Sequence, residues 1–163
     1  MKINKLIYFV VLPVLVSIIA IDLLTKSFIA EKLNGNVIVA IPGIFNFTYV
    51  QNYGAAWSIF SGSKLFLILI SFIFIVLLSI FYIFENKRGA LFQVGIGLML
   101  GGAIGNLIDR IALGYVRDFV QFDFWKTFPV FNIADVAITI GVVLIAISLL
   151  VSLIKGAKNE KKV

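Results

Sequence analysis

Apolar residues gather along this chain into four blocks long enough to cross a bilayer as helices, separated by short stretches of quite different character. Leu6 to Leu24 has only Ser17 and Asp22 as polar interruptions, and Leu65 to Phe84 only Ser71 and Ser79. Ala90 to Ile108 is glycine-rich and carries Gln93 and Asn106, while Val136 to Ile154 carries Thr139, Ser148 and Ser152. About 20 apolar residues cover the roughly 30 Å of hydrocarbon in a bilayer. The pattern therefore predicts an all-α membrane protein with four transmembrane helices over residues 6–24, 65–84, 90–108 and 136–154. Without a linker, low-complexity tract or internal repeat, residues 1–163 read as a single domain.

The period changes between the first and second blocks. Val37 to Ile41 and Phe45 to Val50 are β-branched and aromatic, with Pro42-Gly43 between them. Phe45, Phe47 and Tyr49 alternate with Asn46, Thr48 and Val50, so short strands and a small extracytoplasmic β platform are expected. Its aromatics, with Trp57 and Trp125, suit a membrane interface, where the apolar ring and the polar edge are both satisfied.

Composition agrees with membrane residence: 61% of residues are hydrophobic and 13% charged, with a mean hydropathy of +1.10, too little charge for the surface of a soluble domain of this size. The opening Met-Lys-Ile-Asn-Lys followed by an apolar run is also how cleaved secretory signals begin. The run is longer than a signal core and flows into Asp22-Leu23-Leu24-Thr25-Lys26 without a small-x-small site, which favours a retained anchor.

Basic residues set the expected orientation. With the amino terminus inside, Lys2, Lys5, Lys87, Arg88, Lys155, Lys158, Lys161 and Lys162 are cytoplasmic, and Lys26, Lys32, Lys64, Arg110, Arg117 and Lys126 are outside. Both termini are then cytoplasmic. The net charge of +6 brackets hydrophobic spans instead of lining one soluble face, which points to anionic lipid and not to nucleic acid.

Polar residues within this frame are few, and several fall at one depth. In the third block Gly97, Gly101 and Gly105 recur every fourth residue, a bare stripe that lets another helix approach closely. The stripe continues to Asp109, and beside it Gly102, Asn106 and Arg110 form a parallel one. Arg110 alone reads equally well as a boundary residue. A carboxylate at a helix carboxyl end opposes the macrodipole, so Asp109 should have a local partner. Asn132-Ile133-Ala134-Asp135 looks like a helix amino terminus, with Asn132 as cap and Asp135 three positions on, and capping alone would account for both. Asp118, taken alone, reads equally as a solvated loop acid; Arg117 and Asp123 fit that description too.

What sets Asp118 and Asp135 apart is their place, each at the edge of a stretch apolar enough to span. Carboxylates are expensive to hold there, and two together suggest a catalytic pair. The chain has no histidine and no cysteine, so Ser-His, Cys-His and zinc-protease arrangements are excluded. A Ser-Lys dyad from Ser61 or Ser63 with Lys64 is formally available, but Ser61-Gly62-Ser63-Lys64 reads better as the loop into the second span. An aspartic pair requires no metal or other cofactor: one carboxylate acts as base toward a water while its protonated neighbour donates to the carbonyl oxygen. Asn106, Arg110 and Asn132 are donors able to hold such a pair in register.

Five stretches, in order, carry a resemblance: Asp22-Leu23-Leu24-Thr25-Lys26, Asn52-Tyr53-Gly54-Ala55-Ala56-Trp57, Gly102 through Arg110, Val116-Arg117-Asp118-Phe119, and Phe128 through Asp135. Together they resemble the type II, or lipoprotein, signal peptidases. The resemblance implies an aspartic protease of the bacterial cell membrane that cuts diacylglyceryl-modified prolipoproteins just amino-terminal to the lipidated cysteine, and that binds globomycin-type inhibitors. It implies Asp118 and Asp135 as the catalytic dyad, with Asn52, Asn106, Asp109, Arg110 and Asn132 supporting the dyad or contacting substrate. Asp22 and Lys26 fall where the family keeps a polar pair near the outer end of the first span. Leu23 stands where glutamine is common, and Trp57 where phenylalanine also occurs. The outer platform is expected to clamp the substrate by strand pairing, with residues 115–125 closing over the site. A small proton-coupled transporter or channel is the alternative, although it would want its carboxylates near the midplane and usually a repeat.

Overall fold

The computed structural model describes residues 7–33, 36–54, 62–85 and 88–160, with the side chains of 7, 8 and 156–160 excepted. Trp57, Ser61, Leu6 and the side chains of Lys2, Lys5, Lys87, Lys158, Lys161 and Lys162 lie outside that description.

A π-helical turn, Ile7–Val11, leads into α1 (Leu12–Leu33). Pro13 has no N–H to give to the carbonyl four residues back, which accounts for the wider turn ahead of it. Two strands follow, β1 (Ile38–Ile41) and β2 (Phe45–Asn52), then α2 (Lys64–Glu85), α3 (Ala90–Ala112), β3 (Val116–Phe122) and α4 (Ile133–Glu160). Among the described residues, four helices are long and apolar enough to cross a membrane, as the hydropathy pattern predicts. Each predicted span is a helix, and all but α2 run several residues further than the apolar blocks. In α1 the extension carries the helix on from Leu24 to Leu33, so Asp22 and Lys26 sit well inside it rather than near its end.

The bundle is organised around α3. Within its most apolar window 67% of residues are buried, against 17% in each of the other three helices, which turn most of their side chains outward. The glycine stripe is the reason. A methyl built at Gly97 would lie 2.9 Å from Val14, and one at Gly101 would lie 2.9 Å from the Leu15 carbonyl oxygen, so the predicted close approach is to α1. Gly102 faces the other way and leaves room for the Ala134 carbonyl in the first turn of α4. Further along, Gly95 and Gly141 let α3 and α4 meet backbone to backbone. Val11, Leu78, Phe92, Ile96, Leu100 and Ile145 fill the space between the helices at the opposite end from the sheet.

The platform is a three-stranded antiparallel sheet in the order β1-β2-β3. Its third strand, Val116–Phe122, is an addition to the sequence reading. It pairs with β2 through Asn52↔Val116, Val50↔Asp118 and Phe47↔Val120, with a bulge in β2 that absorbs one extra residue. Phe119 packs on Ile29 and Leu33 at the end of α1, which seats the sheet on the bundle. Asp123, read from sequence as a free solvated acid, fastens the platform instead. It accepts from Lys126 Nζ at 2.7 Å, Gly43 N at 3.0 Å and Asn46 Nδ2 at 3.2 Å, and these donors, Lys126 foremost, hold its carboxyl below the usual range.

Candidate active site

The site begins with the cap of α4. Asn132 Oδ1 accepts from the Asp135 N–H at 3.0 Å, and Asp135 Oδ2 accepts in return from the Asn132 N–H at 3.1 Å. This reciprocal box starts α4 and fixes the Asp135 carboxylate at the same time. Its other oxygen, Oδ1, accepts from Asn106 Nδ2 at 2.8 Å.

Asp118 arrives from β3. Successive strand residues point to opposite faces, so Arg117 and Phe119 turn toward α1 and α3 while Val116 and Asp118 turn into a cavity. After β3 the chain doubles back, and Phe131 bridges Val120 with its N–H donating to the Val120 carbonyl at 3.0 Å. That return brings Asn132 to Asp118, whose Oδ1 accepts from Asn132 Nδ2 at 2.6 Å. Asp118 Oδ2 accepts from Asn52 Nδ2 at 2.9 Å. All four oxygens of the two carboxyls are thus held, and Asn132 serves both.

The orientation of each amide follows from what its oxygen does. Asn52 Oδ1 accepts from the Gly54 N–H at 2.9 Å, and Asn132 Oδ1 is engaged by the cap. Asn106 Oδ1 accepts from Asn132 Nδ2 at 3.1 Å and from Lys26 Nζ at 2.8 Å. A lysine ammonium only donates, so each of the three asparagines has its NH₂ aimed at a carboxyl.

Behind Asn106 lies a buried charge cluster. Lys26, fully buried, donates to Asp22 Oδ2 at 2.7 Å and stands 3.4 Å from Asp109 Oδ2. Asp22 Oδ1 accepts from the Ala134 N–H at 3.0 Å, tying α1 to the first turn of α4. Asp109 has the partner its position demanded, and more than one: Arg117 forks onto it, with Nη2 at 2.8 Å from Oδ1 and the backbone N–H at 3.0 Å from Oδ2. Arg117 is therefore not the solvated loop residue that its neighbourhood in sequence suggested. Val116, Phe119 and Val120 are strand formers, and the strand they build forces Arg117 and Asp118 to opposite faces.

Asn52, Asn106, Arg110, Asp118 and Asp135 line one cavity of about 530 Å³. Its walls are mostly apolar, with Leu67, Ile70 and Phe74 from α2, Ala103 from α3, Ile138 from α4, and Phe128 and Phe131 from the returning loop. Arg110 reaches across to the Gly54 carbonyl at 3.4 Å, and its buried Nε has no partner among the described residues. Asn132, Asp22, Lys26 and Asp109 do not line the cavity; they act from behind it.

Burial raises the Asp118 carboxyl, and the negative charge of Asp135 raises it further, to about 7 despite the opposing amide donors. Two carboxyls that share one apolar-walled cavity, one of them holding its proton near neutrality, have the equipment for general acid and general base work on a water.

The comparisons with known proteins decide the family. The model of signal peptidase II matches residues 14–151. The chain belongs to the signal peptidase II family. A lipoprotein signal peptidase of Lactobacillus johnsonii is 47% identical over 82% of this chain and 86% of its own length. That of Staphylococcus aureus strain JH9 is 40% identical over 95% of each. Among solved structures, a bacterial membrane enzyme determined by the in meso method at 2.3 Å superposes with a TM-score of 0.78 at 38% identity, covering 85% of this chain and 86% of that one. This signal peptidase II chain is accordingly a protease of multi-pass membrane architecture.

Proposed function

We propose that the chain is an aspartic endopeptidase that removes the signal peptide from diacylglyceryl-modified prolipoproteins, with Asp118 and Asp135 as its catalytic dyad. The observation that carries this reading is the single cavity into which both carboxyls project, shared by way of Asn132. Asp135 takes a proton from a water held between the two carboxyls. The water oxygen attacks the scissile carbonyl carbon while protonated Asp118 donates to its oxygen, giving a neutral tetrahedral diol. Asp118 then recovers a proton from one hydroxyl as the C–N bond breaks, and Asp135 delivers its own proton to the departing amine. The two-step exchange returns the dyad to its starting state with one water consumed.

The cavity walls suit such a substrate. A signal helix lying in hydrocarbon meets the apolar residues of α2 and α4, and the bond to be cut reaches the carboxyls at the sheet end of the bundle. In this reading both termini lie on the cytoplasmic side and the dyad near the outer face, the orientation that the excess of lysine and arginine, eight inside against six outside, supports. Asp135 stands in the first turn of α4 and Asp118 on β3, beyond the helices, which does not suit a transporter with a midplane site. The strand-pairing clamp is narrowed: Arg117 N–H is taken by Asp109, and those of Phe119 and Val120 by the Phe131 carbonyl, so this edge of β3 has little left to offer an extended segment.

The purified chain should be given one prolipoprotein in two forms, with and without the diacylglyceryl group. Cleavage immediately before the modified cysteine, blocked by globomycin, is expected only in the first. Equal cleavage of the unmodified form, or cleavage elsewhere, would refute the substrate assignment.

A further inference from the structure

Arg117 is the best-connected cation at the sheet end of the bundle, and nothing in the dyad chemistry calls on it. Three of its N–H groups reach Asp109: the backbone N at 3.0 Å, Nη2 at 2.8 Å, and Nε at 3.2 and 3.3 Å from the two oxygens. Nη1 donates to Ser27 Oγ of α1 at 3.1 Å. One residue on β3 therefore grips the last turn of α3 at Asp109 and the second half of α1 at Ser27, immediately beside Asp118.

The charges behind Asn106 make this grip more than a tether. Asp22, Asp109, Lys26 and Arg117 sum to zero, and the first three are almost wholly buried. Without the guanidinium, two buried carboxylates face one ammonium. Lys26, 3.4 Å from Asp109 and 2.8 Å from Asn106 Oδ1, would be drawn toward the less satisfied carboxylate. Asn106 Oδ1 would keep only the longer bond from Asn132 Nδ2, at 3.1 Å, and the aim of its NH₂ at Asp135 would loosen.

We propose that Arg117 is a positioning residue for both members of the dyad: it places Asp118 through the strand they share, and it aims the Asn106 amide at Asp135 by balancing Asp109 against Lys26. The proposal rests on the aspartic reading above and deepens it.

The test compares kcat and KM of purified wild type, Arg117→Met, Arg117→Lys and the double variant Asp109→Asn with Arg117→Met, on a diacylglyceryl-modified prolipoprotein. Asp118→Asn and Asp135→Asn are run beside them. Arg117→Met is expected to lower kcat by about 10- to 100-fold with KM within about twofold, since what is lost is alignment of the reacting groups and not substrate binding. The double variant removes the unbalanced carboxylate along with its partner, so its kcat should recover by at least about fivefold over Arg117→Met, to within about tenfold of wild type. Arg117→Lys keeps the balance but not the fork, and should stay within about tenfold of wild type. A residue that only straps the strand would leave the double variant no better than the single one. That result, or an Arg117→Met enzyme within about twofold of wild type in kcat, overturns the proposal. If Arg117→Met yields no folded protein, the double variant and Arg117→Lys carry the test: both should lie within about tenfold of wild type, and a deeper loss in folded protein overturns it. Active Asp118→Asn or Asp135→Asn enzymes would bring down the dyad itself, and this role with it; inactive ones beside an indifferent Arg117→Met bring down this role alone.

Discussion

Lys26 donates to the side-chain oxygen of Asn106 at 2.8 Å, and both residues are buried. A donor-only ammonium at that oxygen leaves Asn106 one way to face Asp135, with its NH₂. Asn106→Asp should preserve the partner of Lys26 but replace the donor toward Asp135 with a repelling oxygen. The expected outcome is a loss of about 100-fold or more in kcat together with a lowered thermal transition, since a further buried carboxylate joins Asp22, Asp109 and Asp135; a cleavage time course and a melting curve on the same preparation read both. An Asn106→Asp enzyme with near-normal turnover would show that this donor is dispensable.

Asn132 combines two duties that substitution can separate. Serine caps a helix nearly as well as asparagine, but it cannot also donate to Asp118 and to the Asn106 oxygen. Asn132→Ser should therefore stay within about 1 kcal/mol of wild-type stability while turnover falls by about 100-fold; Asn132→Ala should lose the cap as well, by roughly another 1 kcal/mol. Denaturation midpoints in detergent and initial rates together resolve the two effects.

The acid and base assignment gives a pH dependence. Under that assignment Asp118 is the proton donor, and its carboxyl is raised to about 7, first by burial and then by the charge of Asp135. kcat/KM should fall as pH rises through about 7, because the donor is then ionised. Stability follows the same proton. Between about pH 4 and 7 the folded chain retains a proton that the unfolded chain has released, so stability declines across that window, by on the order of a few kcal/mol, and levels off above it. Asp118→Asn should abolish that slope, which melting curves from pH 4 to 8 would reveal.

The glycines of α3 are a structural prediction of a different kind. A methyl at Gly101 would lie 2.9 Å from both the Leu15 carbonyl oxygen and Ile18 Cβ of α1, and neither the backbone nor a β-branched carbon can yield easily. Gly101→Ala should destabilise the bundle by about 1–3 kcal/mol, although alanine is the better helix former. The melting temperature in detergent measures it.

The spans were legible because a bilayer enforces the simplest rule there is, a sustained apolar run of sufficient length. Their ends were not, because Asp22, Lys26, Asp109 and Arg117 neutralise one another inside the bundle and so let α1 and α3 carry charge where hydropathy alone marks a boundary. The glycine stripe announced a close helix contact but not its partner; only the folded chain assigns α1 to one side and α4 to the other. β3 was missed because its polar residues, Arg117, Asp118 and Gln121, interrupt the alternation that marked β1 and β2. The same polarity identified Asp118 as a candidate. Arg117 was passed over because pairing between a strand and a helix end has no signature in local spacing.

Cleavage of a diacylglyceryl-modified prolipoprotein by Asp118→Asn and Asp135→Asn, each shown to melt as wild type does or above it, tests the pairing of the two carboxyls most directly. Each substitution should lower the single-turnover rate by about 1,000-fold or more, with chelator leaving the wild-type rate unchanged. Either folded variant cleaving within about tenfold of wild type would contradict it.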